Sequence, residues 1–271
     1  MPAGPKVSRW PPPHASCLAP KIPAKKPSKS QAKTRAKTRV KTKKSWMSPP
    51  PPRGAKQRVL LTVERLRDQY PAVTELAYQD PFQLLIATIL SAQTTDRSVN
   101  LVTPELFRRY PTPADLAAAD PTVVEQLIKP TGFFRVKARR IIAASRKIVE
   151  QFGGTVPASM DELVQIPGIG RKTANVILGV GFGVPGFAVD THVTRLTNRL
   201  GLVATRDPVK IEHQVCAMVP NEEWTGLSLR LILHGRRICI ARRPKCEECV
   251  LNDFCPSSTT RPKRRTGAKT A

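Results

Sequence analysis

The sequence predicts an all-α protein, on three observations, and two helical lobes with a cleft between them are expected because the cysteine-rich stretch at 239–255 follows helices that return to the N-terminal side of the core. From Arg58 onward, apolar residues recur with a helical period between turns marked by Pro and Gly. Runs of alternating β-branched residues, the mark of strands, are few. No period of about 20 to 50 residues repeats, which excludes a solenoid. At 271 residues and 40% hydrophobic content, the chain has enough apolar material for one large domain or two small ones.

The elements follow in chain order, beginning with a basic arm. Residues 1–57 hold fifteen Lys or Arg and no Asp or Glu, and residues 256–271 hold five and none, so the ends supply +20 of the net +25. We therefore expect solvated basic tails at 1–57 and 257–271 flanking a folded part at 58–256. A polyanion is their natural partner. Nucleic acid suits them better than a membrane, because the arms have no apolar face and no run in the chain approaches the roughly 20 apolar residues of a membrane-spanning helix. A soluble chain is expected. The proline runs at 11–13 and 49–52 would break the amphipathic helix of an organellar transit peptide.

Pro81, Phe82, Leu84, Leu85, Ala87, Ile89 and Leu90 make one segment apolar nearly all round, which predicts a buried central helix ending at Ser91, Ala92 and Gln93. Shorter helices are expected at 115–119, 121–128, 137–152 and 160–166, most starting near Pro, Asp or Ser and stopping near Gly or Pro, with short loops between them.

Within residues 163–183, the run Ile166-Pro167-Gly168-Ile169-Gly170-Arg171-Lys172-Thr173-Ala174-Asn175 predicts a helix, a tight glycine turn and a new helix start. Gly168 and Gly170 let backbone approach a phosphate, and the amides opening the second helix, with Arg171 and Thr173 beside them, offer it partial positive charge. Such contacts hold a duplex without reading its bases. The phosphate loop of nucleotide hydrolases is excluded: Arg171 separates Gly170 from Lys172, the upstream glycine spacing is wrong, and a helical pattern precedes the turn where that motif needs a strand. Lys172, two residues into the second helix, lies where the helix dipole and basic neighbours would lower an ammonium pKa, as Schiff-base chemistry requires.

The segment Gly186-Phe187-Ala188-Val189-Asp190-Thr191-His192-Val193 brings an apolar approach to one carboxylate, eighteen residues after Lys172. Asp190 is a natural N-cap, and a carboxylate held at a helix start near a lysine can stabilise a cationic sugar. His192 either helps organise the Asp190 loop or is a buried, hydrogen-bonded histidine.

Cys239, Cys246, Cys249 and Cys255, spaced C-x6-C-x2-C-x5-C, signal a metal centre. Disulfides do not suit a chain without a secretion signal, and a four-cysteine zinc site usually shows two C-x2-C knuckles. A [4Fe–4S] cluster is favoured, although the spacing differs from that of ferredoxins. Arg237, Arg242, Arg243 and Lys245 surround the ligands, so the loop could rest on a phosphate backbone. Cys17, in the tail, and Cys216, in an apolar helix, read as incidental.

Together these residues resemble the endonuclease III family, within the helix–hairpin–helix DNA glycosylases. The likeness spans about residues 58–256 and rests on ILSAQTTDRSVN, LVQIPGIGRKTANVILG, VDTHVTRL, LILHGRR and the cysteine spacing, in that order. It implies a two-lobed all-α glycosylase fold with a C-terminal iron–sulfur cluster loop, Lys172 as Schiff-base nucleophile and Asp190 as catalytic carboxylate. It also implies that Gln93 fills the gap left by an extruded nucleotide and that Phe133 is an apolar wedge, where the family often has a smaller aliphatic residue. His192 joins Gln93, Phe133, Gly168, Gly170, Arg171 and Thr173 in the DNA-contacting set.

The implied activity is removal of oxidised pyrimidines from duplex DNA followed by β-elimination at the abasic site. A monomer in a bacterial cytoplasm, associated with the nucleoid, is expected. Two other readings are a monofunctional adenine-mismatch glycosylase and a non-catalytic DNA-binding scaffold. The first generally lacks a lysine at the hairpin position and has a C-terminal mismatch-sensing domain, whereas this sequence runs only sixteen residues past Cys255. The second needs neither Lys172 nor Asp190.

Overall fold

The computed structural model describes residues 50–260. The predicted basic tails lie outside that range except for residues 50–57 and 257–260. Among the described residues there is no strand, as expected for an all-α chain.

Eleven α-helices are described: α1 (Ala55–Gln69), α2 (Pro81–Leu90), α3 (Asp96–Arg109), α4 (Pro113–Ala117), α5 (Pro121–Ile128), α6 (Phe134–Phe152), α7 (Met160–Leu163), α8 (Arg171–Val176), α9 (Thr191–Arg199), α10 (Pro208–Cys216) and α11 (Trp224–Arg237). One device opens four of them. Asp80-Pro81, Thr112-Pro113, Asp120-Pro121 and Asp207-Pro208 each put a side-chain oxygen on a first-turn amide and a proline where no amide is needed. At α2 the Asp80 carboxylate accepts from the Gln83 amide at 2.8 Å.

These helices close two apolar cores. The first is one stretch of chain, running from Leu76 to Leu178, with α2 at its centre. Leu85, Ile86, Ala87 and Leu90 are fully buried there, each of the larger side chains contributing roughly 2 kcal/mol of transfer free energy. The second joins the chain's two sides: Val59, Val63 and Leu66 of α1 pack with Val193 and Leu196 of α9, Leu227 and Leu231 of α11, and Leu251 of the cysteine loop. The predicted two-lobed form is therefore present, with one continuous and one split lobe.

Several boundaries differ from expectation. Helix α1 begins at Ala55 and not at 58, because Gly54 turns the chain through a left-handed conformation (φ 75°) immediately after the Pro51-Pro52 break. Helix α4 starts at Pro113, ahead of the expected 115, because Thr112 and Asp115 form a reciprocal capping box. Helix α6 starts at Phe134, three residues early, and α7 stops at Leu163 as the chain enters the hairpin turn. Order also continues past 256: the Ser258 hydroxyl bonds to the Asn252 side-chain oxygen.

Candidate functional site

The hairpin forms where the glycines predict it. Gly168 has φ 89°, a conformation that L side chains rarely adopt, and the Ile169 amide donates to the Ile166 carbonyl at 3.0 Å to close the turn. Gly170, with extended backbone, then starts α8; a Cβ there would meet no protein atom within 4 Å, so no internal contact demands the glycine. Lys172 is exposed on the first turn of α8, while Ala174 and Asn175 turn inward. After Val176 the helix widens into a π-type turn over Ile177–Gly181 and leads toward the second lobe.

Asp190 opens α9. Its Oδ1 accepts from the Val193 amide at 2.8 Å, so the carboxylate is both a helix cap and half-buried at the lobe boundary. Lys172 from the continuous lobe and Asp190 from the split lobe line one open cleft of about 1080 Å³, together with Ser91, Gln93, His192 and Arg195. Both also line a smaller adjoining cavity of about 90 Å³, which Thr173, Glu75, Asp96 and Arg236 share. A lysine and a carboxylate that line the same two cavities can both face one bound ligand.

The two residues proposed to enter DNA share a backbone property. Gln93 (φ 56°) and Phe133 (φ 48°) are the non-glycine residues with positive φ among those described. Left-handed backbone costs a residue with a Cβ about 1 kcal/mol or more, and such strain gathers at working surfaces. Phe133 is 67% exposed, so its ring is not part of either core. Gln93 lies two residues beyond Ser91, the residue that caps α2.

Cys239, Cys246, Cys249 and Cys255 line one cavity of about 230 Å³. None of the four is in a disulfide. Among the described residues, no three His, Cys, Asp or Glu side chains gather closely enough to share a single metal ion. Four sulfurs around one cavity are a donor set that an iron–sulfur cluster would fit. Burial first, then the neighbouring thiols, pushes Cys249 up to about 11, an environment in which cationic iron would favour the thiolates.

Helix α9 links the carboxylate to this loop. Arg195 Nη2 donates to the carbonyls of Gly235 and Cys239, both at 2.9 Å, and Arg199 Nη1 donates to Cys239 Sγ at 3.3 Å. His234 is buried between Tyr70 (Nδ1 to OH, 3.2 Å) and Cys249 (Nε2 to Sγ, 3.3 Å). Burial lowers its pKa to about 4, so the ring is neutral and has one N–H to give. With a thiolate at Cys249 that N–H sits on Nε2, leaving Nδ1 to accept from the tyrosine. Nothing in the spacing of LILHGRR announced this role for its histidine.

A model described as HhH-GPD superfamily base excision DNA repair protein matches residues 86–220, and one for the iron-sulfur binding domain of endonuclease III matches residues 239–255. Endonuclease III of Synechocystis sp. is 51% identical over 205 residues, covering 75% of this chain and 94% of that protein. The chain belongs to the endonuclease III family. A non-covalent endonuclease III–DNA complex is 41% identical, with a TM-score of 0.70, covering 74% of this chain and 95% of its own. A trapped endonuclease III–DNA covalent intermediate has the same identity and TM-score and covers 96% of its own chain.

Against that family background, two expected DNA contacts have other partners. Arg171 makes a bidentate pair with Glu212 of α10, both bonds 2.8 Å, and does not project freely from the hairpin. The Glu212 carboxylate is largely buried and needs a cation; Asn175 Nδ2 also donates to it, at 3.2 Å. His192 is half-buried, its Nδ1 3.2 Å from Arg195 Nη2. It packs so closely on α11 that a Cβ at Gly235 would lie 2.9 Å from its Cβ and Nδ1. Just before the iron–sulfur domain, Arg236 of α11 reaches across the smaller cavity to Glu75 (2.6 Å) and Asp96 (2.8 Å).

Proposed function

We propose that the chain excises oxidised pyrimidines from duplex DNA and nicks the resulting abasic site through a lysine Schiff base. The observation that carries this reading is the shared cleft: the amine of Lys172 and the carboxylate of Asp190 come from different lobes and line the same space. An extruded nucleotide would enter there, at a cost of a few kcal/mol that Gln93 and Phe133 offset by filling the vacated stack.

The Lys172 amine attacks the sugar C1′ as the bond to the base breaks, and Asp190 stabilises the positive charge developing on the sugar. The sugar ring opens to an imine joining C1′ to Lys172. Loss of a C2′ proton then drives out the 3′ phosphate, cutting the strand. Water regenerates the lysine. The hairpin amides around Gly168 and Gly170 hold the backbone on either side, with Thr173 and the basic surface near the cysteine loop assisting.

The cofactor in this reading is one [4Fe–4S] cluster, which Cys239, Cys246, Cys249 and Cys255 would hold, fixing the fold of the loop at 239–255. The partner is duplex DNA bearing a damaged base or abasic site, engaged by a monomer in a bacterial cytoplasm. No helix among the described residues is long and apolar enough to cross a membrane. The basic arms at 1–57 and 257–271 add salt-sensitive, sequence-independent affinity.

Borohydride trapping on duplexes carrying thymine glycol or an abasic site tests the reading. The wild type forms a covalent adduct and a nick, and Lys172→Ala forms neither. Base release without an adduct would instead mark a monofunctional glycosylase, and neither product would leave a binding scaffold.

A further inference from the structure

Lys137 is the one lysine or arginine buried among the described residues, only 3% exposed, and neither the Schiff-base chemistry nor the phosphate contacts use it. Three costs attend its position. It is the fourth residue of α6, near the positive end of the helix dipole, its ammonium is out of water, and its neighbours on that face are Ala138, Ile141, Ala144 and Ile148. Burial accordingly lowers its pKa. What it gains is one hydrogen bond, from Nζ to the Thr131 carbonyl at 2.7 Å.

That bond spans the two residues between the end of one element and the start of the next. Gly132 (φ 68°) and Phe133 (φ 48°) are consecutive left-handed residues, and Phe133 holds its ring out in solvent with no aromatic or cationic ring partner among the described contacts. Thr131 is itself fixed, buried and donating from Oγ1 to the Ile128 carbonyl at 2.8 Å. On the far side, the Lys137 and Val136 amides donate to the Phe133 carbonyl, each at 3.1 Å. The strained turn is therefore tied at both ends, and Lys137 supplies a side-chain and a main-chain tie.

We propose that Lys137 is a positioning residue for strand intrusion: its buried ammonium braces the Thr131–Gly132–Phe133 turn so that Phe133 stands ready to enter the DNA stack. The inference rests on the wedge role of Phe133 stated above. It predicts a defect that depends on there being a duplex to wedge apart.

The test compares nicking of an abasic site in duplex and in single-stranded DNA by the full-length cluster-loaded protein, for wild type, Lys137→Met, Phe133→Ala and the double variant. Lys137→Met is expected to lower kcat/KM on duplex about tenfold and on single strands less than twofold, and to cost nothing further once Phe133 is Ala. Equal loss on both substrates, no loss on duplex, or an undiminished cost in the Phe133→Ala background overturns the proposal. Gly132→Ala provides a second variant that leaves the lysine in place: its Cβ meets no atom within 4 Å, so it strains only the turn. It is expected to show the same duplex-selective loss, and wild-type behaviour on both substrates overturns the proposal. Failure of the wild type to nick either substrate would instead sink the lyase reading itself.

Discussion

The continuous lobe and the split lobe reach closed apolar cores by different routes. The first is laid down by one run of chain, Leu76 to Leu178, whose helices follow one another through short loops opened by Asp-Pro and Thr-Pro caps. The second requires α1 to meet α9, α10 and α11 from more than a hundred residues away, and Leu251, with Cys239, Cys249 and Cys255 packed against it, completes its core. Local helices can order early and independently, whereas a core joined across the chain must meet a loop-closure cost. The chemistry is divided the same way: Lys172 stands on the continuous lobe, and Asp190 opens a helix of the split one.

The largest expected effect separates those two contributions. Asp190→Asn keeps an N-cap, so the fold should survive, while base excision slows roughly 100-fold. Single-turnover rates with circular dichroism check both halves, and an unfolded variant would mean that the carboxylate acts mainly in the fold of the split lobe.

Removing the cluster should then divide the lobes by stability. Cys249→Ser is expected to cost about 4 kcal/mol or more, to bleach the visible absorbance of the cluster, and to raise amide exchange in α1, α9 and α11 while α2 and α6 stay protected. Uniform exchange across both lobes would show that they unfold as one unit.

Smaller effects should be even-handed. Ile141→Ala in the continuous core and Leu231→Ala in the split core each leave a cavity where a fully buried side chain stood, costing about 3 kcal/mol in denaturant titrations. Their excision rates should differ more than their stabilities, since Leu231 lies on α11, which frames the cleft. Smallest is Glu212→Gln. It releases Arg171 from a pair that is partly exposed on the arginine side, costing about 1 kcal/mol and freeing that guanidinium to strengthen salt-sensitive DNA binding. Unchanged affinity in a salt titration would show that Arg171 does not reach the backbone even when released.

Much of the continuous lobe was legible because its signals are local. Helix α5 has the predicted limits, α2 lies on the predicted apolar segment but ends at Leu90, short of the expected Ser91–Gln93, and the glycine hairpin turns where its sequence says. Lys137 was legible too in principle: with Ile141, Ala144, Ser145 and Ile148 it occupies one helical stripe, and a lysine on an otherwise apolar face is a buried charge in need of a partner. Arg171 was not. Basic residues beside a phosphate-binding turn suggest a phosphate contact, and only the arrival of Glu212, forty-one residues on, redirects this one.

From the sequence alone came the helical class, the hairpin, the four-cysteine loop, and the pairing of Lys172 with Asp190 as the residues of interest, because each rests on residue type and short spacing. Tertiary structure decided what those residues face. It drew Lys172 and Asp190 to one cleft, set Phe133 outward on a strained turn, placed His234 between Tyr70 and Cys249, and turned Arg171 to Glu212. These outcomes depend on contacts between distant segments, whose geometry is set by how two cores pack and by which buried charge finds a partner, and no local pattern encodes that choice.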